Sequence, residues 1–146
     1  MAETLTNTDD SLETSEYEKI NSLTVTNLTE SRVPLLPFFE MKNKILGETY
    51  DLSLVFANDK LSKKLNLSYR NKDYPANILS FPLEKKQGEI FINLNTASVE
   101  AKELDKKRDD FIALLFIHGL CHLKGLLHSS KMDAVERKAR EYFHFG

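Results

Sequence analysis

A chain of 146 residues, 41% hydrophobic and 29% charged, has the length of a single domain and enough apolar content for a core, which excludes a disordered or fibrous protein. A single cysteine excludes an internal disulfide framework, and no secretory leader or membrane-length apolar run can be read in the sequence, so a cytoplasmic location is expected. The net charge of −2 is unevenly placed: residues 1–18 hold six acids and no Lys or Arg, leaving 20 basic against 16 acidic residues, a net of +4, on the remainder.

Taken in chain order, residues 1–18, rich in Thr, Ser, Asp and Glu, are expected to form a disordered acidic extension, with one domain over 19–146. Ser22 to Thr26 predicts a strand and Phe38 to Leu46 a short helix. Asp51 to Ala57 predicts a second strand, with Leu52, Leu54 and Phe56 alternating, and Asp59 to Leu67 a second helix. Two more strands are expected at Ile78 to Phe81 and Glu89 to Leu94, followed by a helix at Ala97 to Leu104. Asp109 to Lys124 gives the strongest helical signal, with acids at its start, a lysine before Gly125, and an apolar run too continuous for a surface helix. Met132 to Tyr142 is expected to pack back against it through Val135, Ala139 and Tyr142.

Three of the four histidines stand in one stretch, His118-Gly119-Leu120-Cys121-His122-Leu123-Lys124-Gly125-Leu126-Leu127-His128. Side chains four apart share a helical face, so His118 and His122 can aim two imidazoles at one ion. Gly125 can take the left-handed conformation that ends helices, turning the chain so that His128 approaches from a third direction. Neutral imidazoles suit zinc, and three protein ligands leave a fourth position open for water, the arrangement of a catalytic site. A lone histidine on an apolar helix is more often a satisfied core residue; three converging at ligand spacing favour the metal. The fourth, His144, sits among Tyr142, Phe143 and Phe145, where packing or surface exposure is expected.

The position after the first histidine carries Gly119. Zincin metallopeptidases place their general-base glutamate there, and glycine accepts no proton, so peptide hydrolysis by that route is disfavoured although the longer histidine spacing matches.

The histidine segment resembles the signature H-G-x-L-H-L-x-G-Y-D-H of the YbeY family of single-strand-specific metallo-endoribonucleases. A second stretch, Leu65-Asn66-Leu67-Ser68-Tyr69-Arg70-Asn71-Lys72-Asp73-Tyr74-Pro75-Ala76-Asn77-Ile78-Leu79-Ser80-Phe81-Pro82, is similar to the family's L-N-x-x-y-R-x-x-d-x-p-T-[DN]-V-L-S-F-P. Gly88-Glu89-Ile90-Phe91-Ile92-Asn93 resembles its G-[DE]-I-x-I strand, and Leu114-Leu115-Phe116-Ile117 its apolar lead into the first histidine. The order agrees along most of the chain from about Leu23 onward.

The resemblance implies an α+β domain, a small mixed β-sheet packed with helices around a central buried helix bearing the H-x-x-x-H-x-x-x-x-x-H motif. It implies a zinc-dependent endoribonuclease acting on single-stranded RNA, in maturation of the 3′ end of small-subunit ribosomal RNA and in ribosome quality control, with the ribosome as partner. Zinc would be held by His118, His122 and His128, and Arg70 and His118 are the expected catalytic residues. Arg70, expected in a loop, matches the family's arginine linked to RNA cleavage, and its planar, permanently charged guanidinium suits a scissile phosphate. Lys72, Lys85, Lys86 and Lys106-Lys107-Arg108 could track an RNA backbone or simply be solvated. The attacking group is either water or the substrate's own 2′-hydroxyl.

The chain departs from the pattern at positions that bear on the chemistry. Leu127 replaces the aspartate usually found before the third histidine, which removes a partner able to orient an imidazole, an effect of roughly 10 to 100-fold on metal affinity. Asp133 and Glu136 are the candidates to replace it. Ala76 stands where threonine is usual, and Cys121 takes a leucine-like position rotated off the ligand face. Two other classes stay open at this point: a zincin-like metallopeptidase, and a non-catalytic ribosome-associated factor stabilised by metal.

Overall fold

The computed structural model describes residues 16–20, 22–126 and 130–145. In chain order they form β1 (Glu16–Ile20), β2 (Leu23–Asn27), α1 (Phe38–Leu46), β3 (Asp51–Ala57), α2 (Asp59–Arg70), β4 (Ile78–Glu84), β5 (Gln87–Asn93), α3 (Leu94–Glu103), α4 (Arg108–Leu123) and α5 (Ser130–Phe143). The strands make one mixed sheet in the order β1-β2-β3-β5-β4. β2, β3 and β5 run parallel, while β1 and β4 add antiparallel edges. The architecture is the expected α+β class with a small mixed sheet.

Alternation along β3 decides which face is buried. Leu52, Leu54 and Phe56 point to one side of the pleat and are fully buried. Together with Ile90 and Ile92 of β5 they meet Met41 and Ile45 of α1, Ile112, Phe116 and Leu120 of α4, and Met132 and Ala139 of α5. Helix α4 is enclosed on most of its circumference, which is why its sequence is apolar almost all round. The opposite face carries Val55, paired with Phe91, which in turn pairs with Leu79. Tyr69 of α2 covers the β4 side of that face by resting on Phe81.

Local chemistry sets the element ends. Asn58 caps α2 by accepting from Leu61 N at 2.8 Å, and Asn93 caps α3 by accepting from Thr96 N at 3.0 Å. The second cap starts α3 at Leu94, a residue the alternation pattern had placed in the strand. Helix α2 runs three residues past the expected Leu67, because Asn71 adopts a left-handed conformation (φ 57°) and donates its N–H to Leu67 O.

Strand β1 begins inside the segment read as an acidic extension. Glu16 to Glu18 pair with Asn27 to Val25 of β2, so the sheet reaches into the segment assigned to 1–18. Antiparallel pairing satisfies the backbone groups of β2's outer edge, and an edge position tolerates a charged sequence. Residues 1–15 lie outside the described residues.

Lys42 of α1 is fully buried, a residue type almost never found so. Its ammonium donates to Ser22 Oγ at 2.6 Å, Tyr50 O at 2.9 Å and Gly47 O at 3.0 Å, tying α1 to the loop before β3. Burial pulls its pKa down, partly offset by the charges of Asp51 and Glu48. Among the described residues no helix is long and apolar enough to cross a membrane.

Candidate active site

The rigid support of the site is α4. His118 and His122 lie one turn apart on the side where the helix leaves the core, each half-buried. Their rings meet edge to face, 4.7 Å between centroids at 80°, and the two Nε2 atoms stand 3.1 Å apart. The same edge nitrogens of two imidazoles converge on one point, as the spacing of four predicts.

Glu136 of α5 fixes the orientation of His118. Its carboxylate accepts from His118 Nδ1 at 2.6 Å. With the proton held on Nδ1, the lone pair of Nε2 faces His122. Of the two acids weighed as replacements for the missing aspartate, the fold brings Glu136 to the histidine, while Asp133 sits exposed in the first turn of α5.

The helix exit behaves as expected. Gly125 has φ 91°, Gly125 N donates to His122 O at 3.0 Å, and Leu126 N donates to Cys121 O at 3.1 Å. These are the paired bonds of a Schellman ending, which turns the chain away from the helix axis directly after the second histidine. The expected third ligand, His128, lies with Leu127 outside the described residues. Among the described residues no group of three His, Cys, Asp or Glu side chains is gathered for a metal.

Gly119 has a second role beyond lacking a base. A Cβ built there would stand 2.8 Å from Ile78 Cδ1, 3.0 Å from Ser80 Oγ and 3.1 Å from Ile90 Cδ1. Helix α4 therefore presses directly on the side chains of β4 and β5, and any larger residue at this position would require the ends of Ile78 and Ile90 to shift.

A cavity of about 810 Å³ opens along the edge strand β4. One wall is α4, with Leu115, His118, Gly119 and His122; the other is the end of α2, with Tyr69 and Arg70. The floor is β4 itself, from Ile78 to Pro82, so side chains from both faces of the strand reach the opening. Arg70 and the two histidines, 48 and more residues apart in sequence, thus share one cavity. Arg70 is exposed, as expected, but it is the last residue of α2 and not a loop residue, a consequence of the Asn71 cap.

The basic candidates divide. Lys72, Lys85, Lys106 and Lys107 are exposed. Lys86 donates to Thr49 Oγ1 at 3.2 Å. Arg108 is engaged structurally, donating to Arg32 O at 2.9 Å and to Asp109 Oδ1 at 3.0 Å. Cys121 is fully buried, and burial, with the Glu136 charge adding to it, pushes its thiol up to about 11, so it is an inert packing residue. His144 is exposed just beyond α5, and Ala76 is buried where a hydroxyl would need a partner.

Sequence reasoning passed over two cavity residues, Tyr69 and Ser80. The signal available for Tyr69 was its place beside Arg70 near the end of an amphipathic helix; for Ser80 it was a polar residue on the inward phase of a strand.

The chain is similar to known proteins along most of its length. Residues 11–145 match the family described as Endoribonuclease YbeY. The chain is 42% identical over 95 residues to a protein of that name from Nautilia profundicola, covering 62% of this chain and 67% of the relative. It is 36% identical over 115 residues to one from Campylobacter jejuni (73% and 85% covered) and 34% identical over 123 residues to one from Helicobacter pylori (82% and 86%). The solution structure of a Thermotoga maritima protein superposes with a TM-score of 0.54 at 25% identity, covering 71% of this chain and 77% of the other.

Proposed function

Because the chain belongs to the YbeY endoribonuclease family, we propose that it cuts single-stranded RNA in the cavity along β4, using a zinc ion held by His118, His122 and His128. Ribosomal RNA is the proposed substrate, at the 3′ end of the small-subunit species, in maturation and quality control of the ribosome. The observation that carries the reading is the pair of Nε2 atoms 3.1 Å apart, backed by Glu136, in a cavity whose other wall presents Arg70. Two nitrogens bound to one tetrahedral ion at about 2.0–2.1 Å stand roughly 3.4 Å apart, so the spacing fits shared ligation closely.

The chemistry a bound zinc supplies is charge stabilisation at a phosphate oxygen or a water of lowered pKa. Arg70 binds the scissile phosphate through its planar fork and neutralises charge that grows on the non-bridging oxygens. Glu136 keeps the Nδ1 proton of His118 in place, holding Nε2 free of a proton for ligation. Gly119 contributes no base. If the 2′-oxygen attacks the adjacent phosphorus, its bond to the 5′-oxygen of the next nucleotide breaks, leaving a 2′,3′-cyclic phosphate and a 5′-hydroxyl. Attack by water leaves a linear phosphate instead, and the product ends distinguish the two.

The test is to offer the purified chain single-stranded RNA, the same RNA in a duplex, and an unfolded protein. Cleavage confined to the single strand is the expected result. Digestion of the unfolded protein would favour a metallopeptidase. A histidine triple variant that folds and retains ribosome association and normal ribosomal RNA processing would favour a non-catalytic factor.

A further inference from the structure

Tyr69 is 68% exposed, yet its side chain is held in place. One side of it rests on Phe81, 5.0 Å between centroids at 57°. Phe81 in turn meets Phe91 edge-on at 5.8 Å and 73°, and Phe91 sits in the paired interior of the sheet on β5. The three rings form a brace from the sheet outward. Its last member keeps a face open to solvent inside the cavity that also holds Arg70 and His118.

From this arrangement we propose that Tyr69 is a stacking platform for an unpaired base beside the scissile phosphate, and that it is a source of preference for single strands. The inference deepens the nuclease reading and rests on it. Arg70, the next residue in the chain, supplies the phosphate contact, so base and phosphate of one nucleotide would meet adjacent side chains of α2. A cavity of about 810 Å³ far exceeds the space of a phosphate group and lies in the range that encloses a whole small ligand. Every base has a π face, so stacking accepts any sequence, whereas bases within a duplex already stack on their neighbours and have no free face to offer. The hydroxyl of Tyr69 is not required.

The chain contains no tryptophan, so Tyr69→Trp places a single fluorescent reporter at the site. Single-stranded RNA should quench its emission at mixing, before product accumulates. A duplex of the same sequence and an abasic ribose-phosphate strand should leave the emission nearly unchanged. In cleavage assays Tyr69→Ala should raise KM for single-stranded RNA roughly ten- to a hundred-fold with kcat within a few-fold of wild type, the range expected for loss of one base stack. Tyr69→Phe should behave as wild type. Equal quenching by the abasic strand, or a Tyr69→Ala variant with unchanged KM, would overturn the stacking role and leave the nuclease reading intact. A wild-type chain that cleaves no RNA while the base-dependent quenching persists would overturn the nuclease reading and leave the platform.

Discussion

His118, on one side of β4, has its Nδ1 tied to Glu136 of α5 and its Nε2 3.1 Å from that of His122, both histidines being carried by a helix sunk in the core. On the other side, Tyr69 and Arg70 stand exposed in the last turn of α2. On the proposed nuclease reading, the two walls differ as their tasks would. Groups that must share an ion need fixed geometry, and a buried helix backed by a second helix supplies it. Groups that meet an incoming polymer must be reachable, and a helix end over an edge strand leaves them so.

The sharpest break in this comparison comes from the histidine wall. His122→Ala should leave the chain folded but remove most of its bound zinc and lower RNA cleavage by roughly 10³-fold, given that a metal supplies several kcal/mol of charge stabilisation. Elemental analysis beside a cleavage assay measures both, and full metal retention would contradict the ligand assignment. On the opposite wall, Arg70→Ala should keep zinc and melting temperature while cleavage falls by roughly 10²-fold. Arg70→Lys should recover part of that, because lysine keeps the charge and loses the fork. If Arg70→Ala cleaves at the wild-type rate, Lys72 is the next residue to substitute.

Next in size is the support for the histidine. Glu136→Gln should weaken zinc affinity by roughly 10 to 100-fold, the usual cost of losing a partner that orients a ligand imidazole. A metal titration monitored by competition with a chelator reads it directly, and an unchanged affinity would leave the 2.6 Å contact without a role in binding.

These residues differ in how far the sequence alone revealed them. The bounds of α1 and β3 were legible to the residue, since each has a strong period and a clear break at its ends. The two helical histidines were legible because a spacing of four maps directly onto one face. Glu136 could only be weighed against Asp133, because its choice depends on how α5 folds back over α4. Arg70 was placed in a loop because the left-handed turn at Asn71, which prolongs α2, is invisible to periodicity. Lys42 was not singled out at all: a lysine in an amphipathic helix reads as solvated until the oxygens around its ammonium are placed by the fold. The edge strand β1 was absorbed into an acidic segment for the same kind of reason, since its pairing partner is set by the sheet and not by its own composition.

Smaller effects test the packing that joins the walls. In an exposed helix Gly→Ala gains about 1 kcal/mol, but at Gly119 the added methyl meets Ile78, Ser80 and Ile90. Overpacking costs about 1–3 kcal/mol, so Gly119→Ala should lower stability by about 1 kcal/mol net, measured by denaturant unfolding. A stabilised variant would show that α4 does not press on β4 as described.

The smallest effect lies at the far end of α4. Burial pushes the Asp109 carboxyl up, but hydrogen bonds and charges from Arg32 and Arg108 together hold it below its ordinary value of 3.8. A carboxylate depressed in the folded state contributes stability above 3.8 that is lost as pH falls through the lower folded value. Asp109→Asn should therefore cost about 0.5–1 kcal/mol near neutrality, a partly solvent-screened pair at a helix start. The difference from wild type should shrink as pH drops below about 4; a constant difference across that range would mean the charge of Asp109 is not what matters.

Whether a metal held at His118 and His122 drives cleavage of single-stranded RNA in the cavity along β4 is decided by one titration. The purified chain is stripped with a chelator and zinc is returned stepwise while cleavage of a single-stranded RNA is followed, with His122→Ala treated in parallel. Stripping should abolish cleavage, activity should return and saturate near one zinc per chain, and His122→Ala should stay inactive throughout. Cleavage that survives stripping, or that zinc restores equally to His122→Ala, would contradict that role of the metal.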